Sequence, residues 1–266
     1  MTDETTVKME DALQDFADEM LDAFRYQRLQ RRSSVPITAI TVEEAYEIQS
    51  RNIQRRIADG ETPVGYKVGC TSRAIREQFG LQEPVSGRLM SPYVYFGDAR
   101  LVWSDYVNCA VEPEFVFRIG RDITAVVERQ SIAESIEYVS PGIEVHNYKF
   151  WYGEPSSQAL IASNAIHACL VVGDEKKSLD VLDLEMEGVG LFAGDDLVAS
   201  GIGAETMGGP LKSLAWLAEK LILRGEYLKA GDLVIPGSPV RLIPVARGTV
   251  VKARFTHLGA VQAEFL

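Results

Sequence analysis

The chain has 266 residues, 46% of them hydrophobic, which is the size and composition of a globular protein with a substantial buried core. Its formal net charge of −11 argues against DNA or RNA as partners, because a phosphate-binding surface needs clustered lysine and arginine. No apolar run reaches the roughly 18 residues of a membrane span, and the acidic N-terminus lacks the order of a signal peptide. We therefore expect a cytoplasmic protein without a membrane partner.

The first 60 residues carry the apolar spacing of helices. A first helix is predicted over about residues 8–32, because an apolar residue recurs there every three or four positions, at Met9, Leu13, Phe16, Met20 and Phe24. The sequence TVEE at 41–44 then forms a capping box, in which Thr41 caps a second helix that we predict to end near residue 59. This pattern predicts an N-terminal helical region over residues 1–60.

From residue 61 to residue 266 the sequence consists mainly of short β-rich segments with frequent glycine. One helix is predicted near 210–224, beginning at Pro210 and ending before Gly225. The order of helices, strands, one helix and further strands differs from the regular alternation of a doubly wound sheet. We therefore predict an α+β fold, with a β-rich catalytic core preceded by a helical cap.

The three cysteines are Cys70, Cys109 and Cys169. They are widely spaced and form no Cys-x-x-Cys pair, so the sequence indicates neither a disulfide framework nor a thiolate zinc site. We expect them to be reduced and mostly buried.

The stretch CAVEPEFVFRI, residues 109–119, places two acids in an otherwise apolar strand. Glu112 and Glu114 point to one face, because side chains two apart in a strand share a face. That face continues through Ala110 and Val116, so the acids interrupt an apolar surface, where two ionised carboxylates need a cation or a shared proton. Spacing alone leaves three interpretations: a metal site, a solvated pair and a carboxylate acid–base pair.

A third acid, Glu144, lies in another apolar strand, PGIEVHNYKF. Three carboxylates are hard oxygen ligands that suit Mg²⁺ or Mn²⁺, and such a site can chelate a 2-oxo acid and act as a Lewis acid. Lys67 in GYKVGCTS is either a surface lysine or, beside a bound oxo acid, a group that pairs with the substrate carboxylate or moves a proton.

Six segments occur in the order seen in one enzyme family: GYKVGCTS, VEPEFVF, GIEVHNYKF, ASNAIHACLVVG, GGPLKSLAWLAEKL and LKAGDLVIPGSP. Over roughly residues 40–266 the chain thereby resembles the 2-keto-4-pentenoate hydratases and 4-oxalocrotonate decarboxylases of the fumarylacetoacetate hydrolase superfamily. The resemblance implies a mixed β-sheet core rolled into a partly closed barrel. It also implies a homo-oligomer in aromatic meta-cleavage catabolism, acting on a small 2-oxo or 2-hydroxydienoic acid.

The resemblance also assigns site residues. It implies a metal, usually Mg²⁺, held by Glu112, Glu114 and Glu144, and it makes Lys67 the active-site lysine. The residues that it implies for substrate binding are Thr71, Ser72, Asn164 and Ser238.

The chain departs from its relatives around these residues. Relatives commonly have PDFG or PDYG where this chain has PVSG, so Val85 replaces their aspartate and cannot move a proton. Asn147 likewise stands where relatives carry an aspartate. His146 and His167 are candidate replacements, because a histidine transfers protons near neutral pH, although each is also a plausible core or supporting residue.

The leading hypothesis is a divalent-metal-dependent lyase that stabilises an enolate, most like 2-keto-4-pentenoate hydratase. Decarboxylation and C–C cleavage can pass through the same kind of enolate. A 2-oxo acid decarboxylase or a C–C hydrolase is therefore the alternative, and Val85, in place of an aspartate, favours a decarboxylase more than it would otherwise be favoured. A non-enzymatic structural partner subunit is a further alternative. The retained acids Glu112, Glu114 and Glu144 argue against that last interpretation.

Overall fold

The computed structural model describes residues 4–28, 30–125, 132–148 and 156–266. Its first helix, α1, covers Glu4–Tyr26, and its second helix, α2, covers Val42–Ala58. The predicted capping box is confirmed: the Glu44 amide donates to Thr41 Oγ1 at 3.1 Å, and the Thr41 amide donates to Glu44 Oε2 at 2.6 Å. The first helix ends earlier than residue 32 because Gln27 has a φ of 52°, outside the helical region.

Further α-helices with both ends in the described ranges are α3 (Arg73–Phe79), α4 (Ser157–Ala162) and α5 (Pro210–Leu223). The last helix confirms the prediction for 210–224, with proline in its first turn and Gly225 at a φ of 75° just beyond its end. Within the described ranges, no helix has both the length and the apolar character needed to cross a membrane.

The strands form two sheets. The strands of the first sheet are β1 (Pro63–Gly69), β2 (Val85–Met90), β3 (Val94–Phe96), β5 (Cys109–Ile119), β6 (Ile136–Asn147), β7 (His167–Val172), β10 (Leu233–Ile235) and β11 (Ile243–Pro244). Those of the second are β4 (Ala99–Leu101), β8 (Gly188–Ala193), β9 (Asp196–Ile202), β12 (Val250–Phe255) and β13 (Ala260–Phe265).

The first sheet has the order β2-β1-β10-β5-β6-β7-β3, with β11 also pairing with β5. It is mixed, because β1 pairs with β10 and β3 with β7 in parallel while the other neighbours are antiparallel. The curled sheet and the N-terminal helices confirm the predicted α+β fold with a partly closed barrel.

The main core lies between the two sheets. Strand β5 contributes three fully buried side chains to this core, where they pack among side chains of the second sheet: Val111, Phe115 and Phe117. Because successive side chains of a strand alternate, Glu112 and Glu114 project from the other face of the first sheet. The core that defines the fold therefore also determines where the acids point.

A second cluster joins the N-terminal helices to the rest of the chain. Residues of α1 and α2 share it with Val85 and with Leu160 and Ile161 of α4. The side chain of Gln49 on α2 crosses the same boundary and donates to the carbonyls of Ser86 and Ile161, at 3.0 and 2.8 Å. The division at residues 60 and 61 stays a prediction, and the helices pack closely on the β-rich core.

Candidate active site

Glu112 and Glu144 face each other at the centre of the first sheet. They are partners in the antiparallel register of β5 and β6, which places their side chains on one face at adjacent positions. Glu144 is fully buried and Glu112 is half-buried. Glu114, on the same face, is only 1% exposed, so the interpretation of Glu112 and Glu114 as a solvated pair is wrong.

His146 completes a compact group with these two acids. Its Nε2 atom lies 3.1 Å from Glu112 Oε2 and 3.3 Å from Glu144 Oε2. Each of the three residues offers one donor atom, and these atoms lie within 4.8 Å of one another, as the ligands of a single metal ion would.

Lys67 is buried beside the same acids rather than exposed. Its Nζ atom lies 3.2 Å from Glu144 Oε1 and donates to the carbonyl of Ala165 at 3.2 Å. Burial lowers the pKa of Lys67, but the nearby charges of Glu144, Glu112 and Glu114 outweigh burial and raise the pKa above its usual value. Lys67 is therefore a protonated ammonium group inside the site.

A β-bulge brings His167 to Glu144. The register between β6 and β7 shifts after Val145, so that His146 pairs with His167 instead of with the next residue, Ala168. A one-residue shift moves a side chain to the other face of a sheet, and here it puts both imidazoles on the acid face. His167 Nδ1 lies 2.7 Å from Glu144 Oε1.

The neighbours of Glu144 keep its carboxylate ionised. Burial raises its pKa, but His146, Lys67 and the hydrogen bond with His167 outweigh burial and lower the pKa to about 2. Burial lowers the pKa of His167, more than its contact with Glu144 raises it. The imidazole is then neutral and donates its Nδ1 hydrogen to the Glu144 carboxylate, leaving Nε2 without a hydrogen-bond partner among the described residues.

Glu114 behaves differently from its neighbours. Its Oε2 atom accepts a hydrogen bond from the amide of Gly237 at 3.1 Å, and its Oε1 atom is buried with no partner among the described residues. Burial raises the pKa of Glu114 well above its usual value, and the charges of Glu144 and Glu112 raise it further. Glu114 is therefore the acid of the group that loses its proton least readily.

Asn164 holds the loop that surrounds Lys67. Its side-chain oxygen accepts from the amide of Arg88 at 2.7 Å, and its side-chain nitrogen donates to the Arg88 carbonyl at 3.0 Å. It opens a run of three left-handed residues, with φ values of 60°, 51° and 56° at Asn164, Ala165 and Ile166. This turn presents the Ala165 carbonyl to Lys67, a contact that sequence patterns gave no means of finding.

The other predicted substrate-binding residues differ in their exposure to solvent. Ser72 is exposed and caps α3, where it accepts from the Ile75 amide at 3.2 Å. Ser238 is half-buried and accepts from the Val240 amide at 3.1 Å within its own turn. Thr71 is buried against Gly237, where an added Cβ would lie 2.5 Å from Thr71 Cγ2. Their roles toward substrate stay predictions.

The positions where an aspartate was expected are apolar or neutral and buried. Val85 is 1% exposed and belongs to the cluster under the N-terminal helices. A Cβ built on Gly69 would lie 3.4 Å from Val85 Cγ2 and 3.3 Å from Lys67 Nζ, so Val85 forms an apolar wall near the lysine. Asn147 accepts from the amide of Val107 at 3.0 Å, which is a structural contact.

The donor set fits a divalent metal. Among the described residues, the buried atoms Glu144 Oε2, Glu114 Oε1 and His146 Nε2 have no hydrogen-bond partner, and they project from the same face of the sheet. Buried polar atoms are normally satisfied, so this group needs a further partner. The carboxylates of Glu112 and Glu144 carry two negative charges, against the single positive charge of Lys67. This excess of negative charge favours binding of a cation.

No family model matches the chain. It is 33% identical over 228 residues to a 2-keto-4-pentenoate hydratase of Paraburkholderia xenovorans, covering 85% of this chain and 84% of the relative. The solved 4-oxalocrotonate decarboxylase of Pseudomonas putida G7, complexed with magnesium and adipate, superposes with a TM-score of 0.91 at 27% identity. That match covers 97% of this chain and 98% of the other.

A more distant structure shares the fold. The fumarylpyruvate hydrolase of Pseudomonas aeruginosa, in complex with Mn²⁺ and pyruvate, has a TM-score of 0.60 and 18% identity, over 76% of this chain and 88% of the other. The matches to the hydratase and to the decarboxylase span most of the chain and agree with each other. The chain belongs to the 2-keto-4-pentenoate hydratase and 4-oxalocrotonate decarboxylase family of the fumarylacetoacetate hydrolase superfamily.

Proposed function

We propose that the protein is a divalent-metal-dependent lyase that acts on a 2-oxo or 2-hydroxydienoic acid, most like a 2-keto-4-pentenoate hydratase. The observation that carries this proposal is the buried group of Glu112, Glu144 and His146 beside the ammonium of Lys67. Such a group combines ligands for a cation with a fixed positive charge for a substrate carboxylate. Membership of the family supports the same chemistry.

A bound divalent ion, Mg²⁺ or Mn²⁺, would supply a Lewis acid that stabilises negative charge on the oxygen of an enolate. Glu112 and Glu144 would hold this ion, and Glu114 lies on the same face as a further acidic group. Lys67 Nζ carries hydrogens that can pair with a substrate carboxylate or protonate carbon. The Nε2 atom of His167, which has no hydrogen-bond partner in the part of the chain that the structure describes, can accept a proton, because its Nδ1 hydrogen is held by Glu144.

The second candidate is a decarboxylase of the 4-oxalocrotonate type, and one observation favours it. Water addition needs a group that activates water, whereas loss of CO₂ needs mainly stabilisation of the enolate. Val85 offers an apolar wall where relatives commonly carry an acid. A C–C hydrolase would again need activated water. A structural partner subunit is disfavoured, because buried, incompletely paired acids destabilise a fold without serving it.

Self-association and location are also proposals. We infer a homo-oligomer because the resemblance to the family implies one. Exposed apolar side chains are candidates for its interface. They include Leu197 of β9 and, before β8, Val181 and Met186, which are 58%, 63% and 65% exposed. We further propose that the protein is cytoplasmic and acts in aromatic meta-cleavage catabolism on a small, dissolved acid.

Turnover measurements test the proposed function. The purified protein is incubated with 2-hydroxypenta-2,4-dienoate and with 4-oxalocrotonate, after chelation and after addition of Mg²⁺ or Mn²⁺. We expect turnover of at least one substrate that disappears on chelation and returns with metal. Loss of the dienol without CO₂ release identifies hydration, and CO₂ release identifies decarboxylation. Turnover that is indifferent to metal, or no turnover of either acid, contradicts the proposal.

A further inference from the structure

The distances around His146 match those between neighbouring ligands of one metal ion. Octahedral coordination with bonds of about 2.1 Å places adjacent ligand atoms about 3.0 Å apart. His146 Nε2 lies 3.1 Å from Glu112 Oε2 and 3.3 Å from Glu144 Oε2. One ion in contact with all three atoms would therefore need little movement of these side chains.

Hydrogen bonding does not account for the position of His146. The residue is 1% exposed, and neither ring nitrogen has a hydrogen-bond partner among the described residues. Its Nε2 atom is close to two carboxylates, but in a direction that does not suit a hydrogen bond from the ring. A buried imidazole without a partner is costly, and a shared cation would satisfy Nε2 and both carboxylates together.

Side-chain contacts, rather than the backbone, separate Glu114 from this group. Glu114 lies two residues from Glu112 and pairs in register with Gly142, so it shares the face of Glu112, Glu144 and His146. One oxygen of Glu114 is taken by the Gly237 amide at 3.1 Å. The three residues whose donor atoms converge are therefore Glu112, Glu144 and His146, and they include a nitrogen.

We propose that His146 Nε2 is a ligand of the metal, together with Glu112 and Glu144, and that this nitrogen makes the site prefer Mn²⁺ to Mg²⁺. Imidazole binds first-row transition ions well, whereas Mg²⁺ favours an all-oxygen shell. The inference rests on the proposed metal-dependent function and specifies the ion that the site selects.

Pulsed electron paramagnetic resonance of the full-length protein with one equivalent of Mn²⁺ tests this inference directly. A directly bound imidazole gives electron spin-echo modulation from ¹⁴N, and labelling the histidines with ¹⁵N changes that modulation without any mutation. We expect histidine nitrogen coupling in the unmutated protein. We also expect coupling to be lost in His146→Gln and retained in His167→Asn, a matched control that changes the other buried imidazole touching Glu144 but keeps a nitrogen in the place of Nδ1.

Competition between metals provides the second measurement. In the unmutated protein, Mn²⁺ should displace Mg²⁺, and His146→Gln should lower the affinity ratio of Mn²⁺ to Mg²⁺ by at least about ten-fold, because a nitrogen donor is lost. Mn²⁺ bound to the unmutated protein without histidine coupling overturns the role of His146 and leaves the lyase function intact. Failure of that protein to bind either ion overturns both.

Discussion

Glu112 and Glu144 are direct partners in the register of β5 and β6, with side chains on the same face of the central sheet. Both strands are flanked by other strands, β10 beside β5 and β7 beside β6. Each acid is held by a paired strand rather than by a loop. We therefore expect the distance between the two carboxylates to be similar with and without a bound ligand. We also expect the proposed metal binding and turnover to depend on this pair.

Removal of the Glu144 charge should abolish metal binding. We expect Glu144→Gln to weaken Mn²⁺ affinity by more than about 100-fold, because the neutral amide is a poor ligand. Mn²⁺ at about 100 times its dissociation constant should raise the free energy of unfolding of the unmutated protein by about 2.7 kcal/mol, and that of Glu144→Gln hardly at all. Calorimetric titration and thermal unfolding measure both effects.

The matched control is Glu219→Gln, at an exposed position of α5. It changes the same functional group away from the site, so we expect metal affinity and metal-dependent stabilisation to be preserved. Equal Mn²⁺ affinity in Glu144→Gln and the unmutated protein would exclude Glu144 as a ligand.

Lys67 should matter for turnover and not for metal retention. Lys67→Met keeps a chain of similar length but removes the buried ammonium that lies 3.2 Å from Glu144. We expect kcat to fall by about 100-fold or more, as for loss of a proton-transfer group. Mn²⁺ affinity should stay equal or increase, since a competing cation has been removed. Steady-state kinetics and metal titration measure both effects.

The matched control for this change is Lys252→Met, at an exposed position of β12. It removes an ammonium group away from the site, so kcat and Mn²⁺ affinity should both equal those of the unmutated protein. Undiminished turnover in Lys67→Met would remove Lys67 from the proton-transfer step.

His167 should have two separable roles. Its Nδ1 atom orients Glu144, and its Nε2 atom, which bonds to none of the described residues, can carry a proton. In His167→Asn, the amide nitrogen can replace Nδ1, so metal affinity should be preserved while kcat falls by about 100-fold or more. His167→Ala should lose the same turnover and also about 10- to 100-fold in metal affinity. Full turnover in His167→Asn would leave His167 only an orienting role.

Asn164 should contribute mainly to stability. Asn164→Gly removes both hydrogen bonds to the Arg88 backbone but tolerates the left-handed φ of 60°, so we expect a loss of about 2 kcal/mol in the free energy of unfolding. Asn164→Ala should lose about 1 kcal/mol more from the backbone strain. Denaturant unfolding measures these losses. An unchanged stability with a raised KM would instead support the predicted role in substrate binding.

The three thiols should react slowly in the folded protein. Burial raises the pKa of Cys70 to about 11 and the pKa values of Cys109 and Cys169 to about 12. At pH 8 no more than about one thiol in a thousand is then the reactive thiolate. Native protein mixed with a thiol-reactive disulfide should label slowly, with Cys70 first as the pH rises, and unfolded protein should label at all three positions. Rapid native labelling near pH 8 would contradict this.

Local patterns predicted several elements correctly. The capping residues Thr41 and Glu44 and the proline at the start of α5 depend on neighbours a few residues away, so their structure could be predicted from short segments. The shared face of Glu112 and Glu114 follows from strand periodicity in the same way. The end of α1 was missed, because an unexceptional residue, Gln27, adopts a left-handed conformation there.

The amino-acid sequence by itself determined the local part of the site: which residues can bind metal, and which of them share a face of one strand. Only the tertiary structure decided which strands lie side by side, and so brought Lys67 of β1 to Glu144 of β6. It also decided the bulge that turns His167 toward Glu144. The physical reason is that strand register and bulges depend on pairing between distant segments, which periodicity along one segment does not specify.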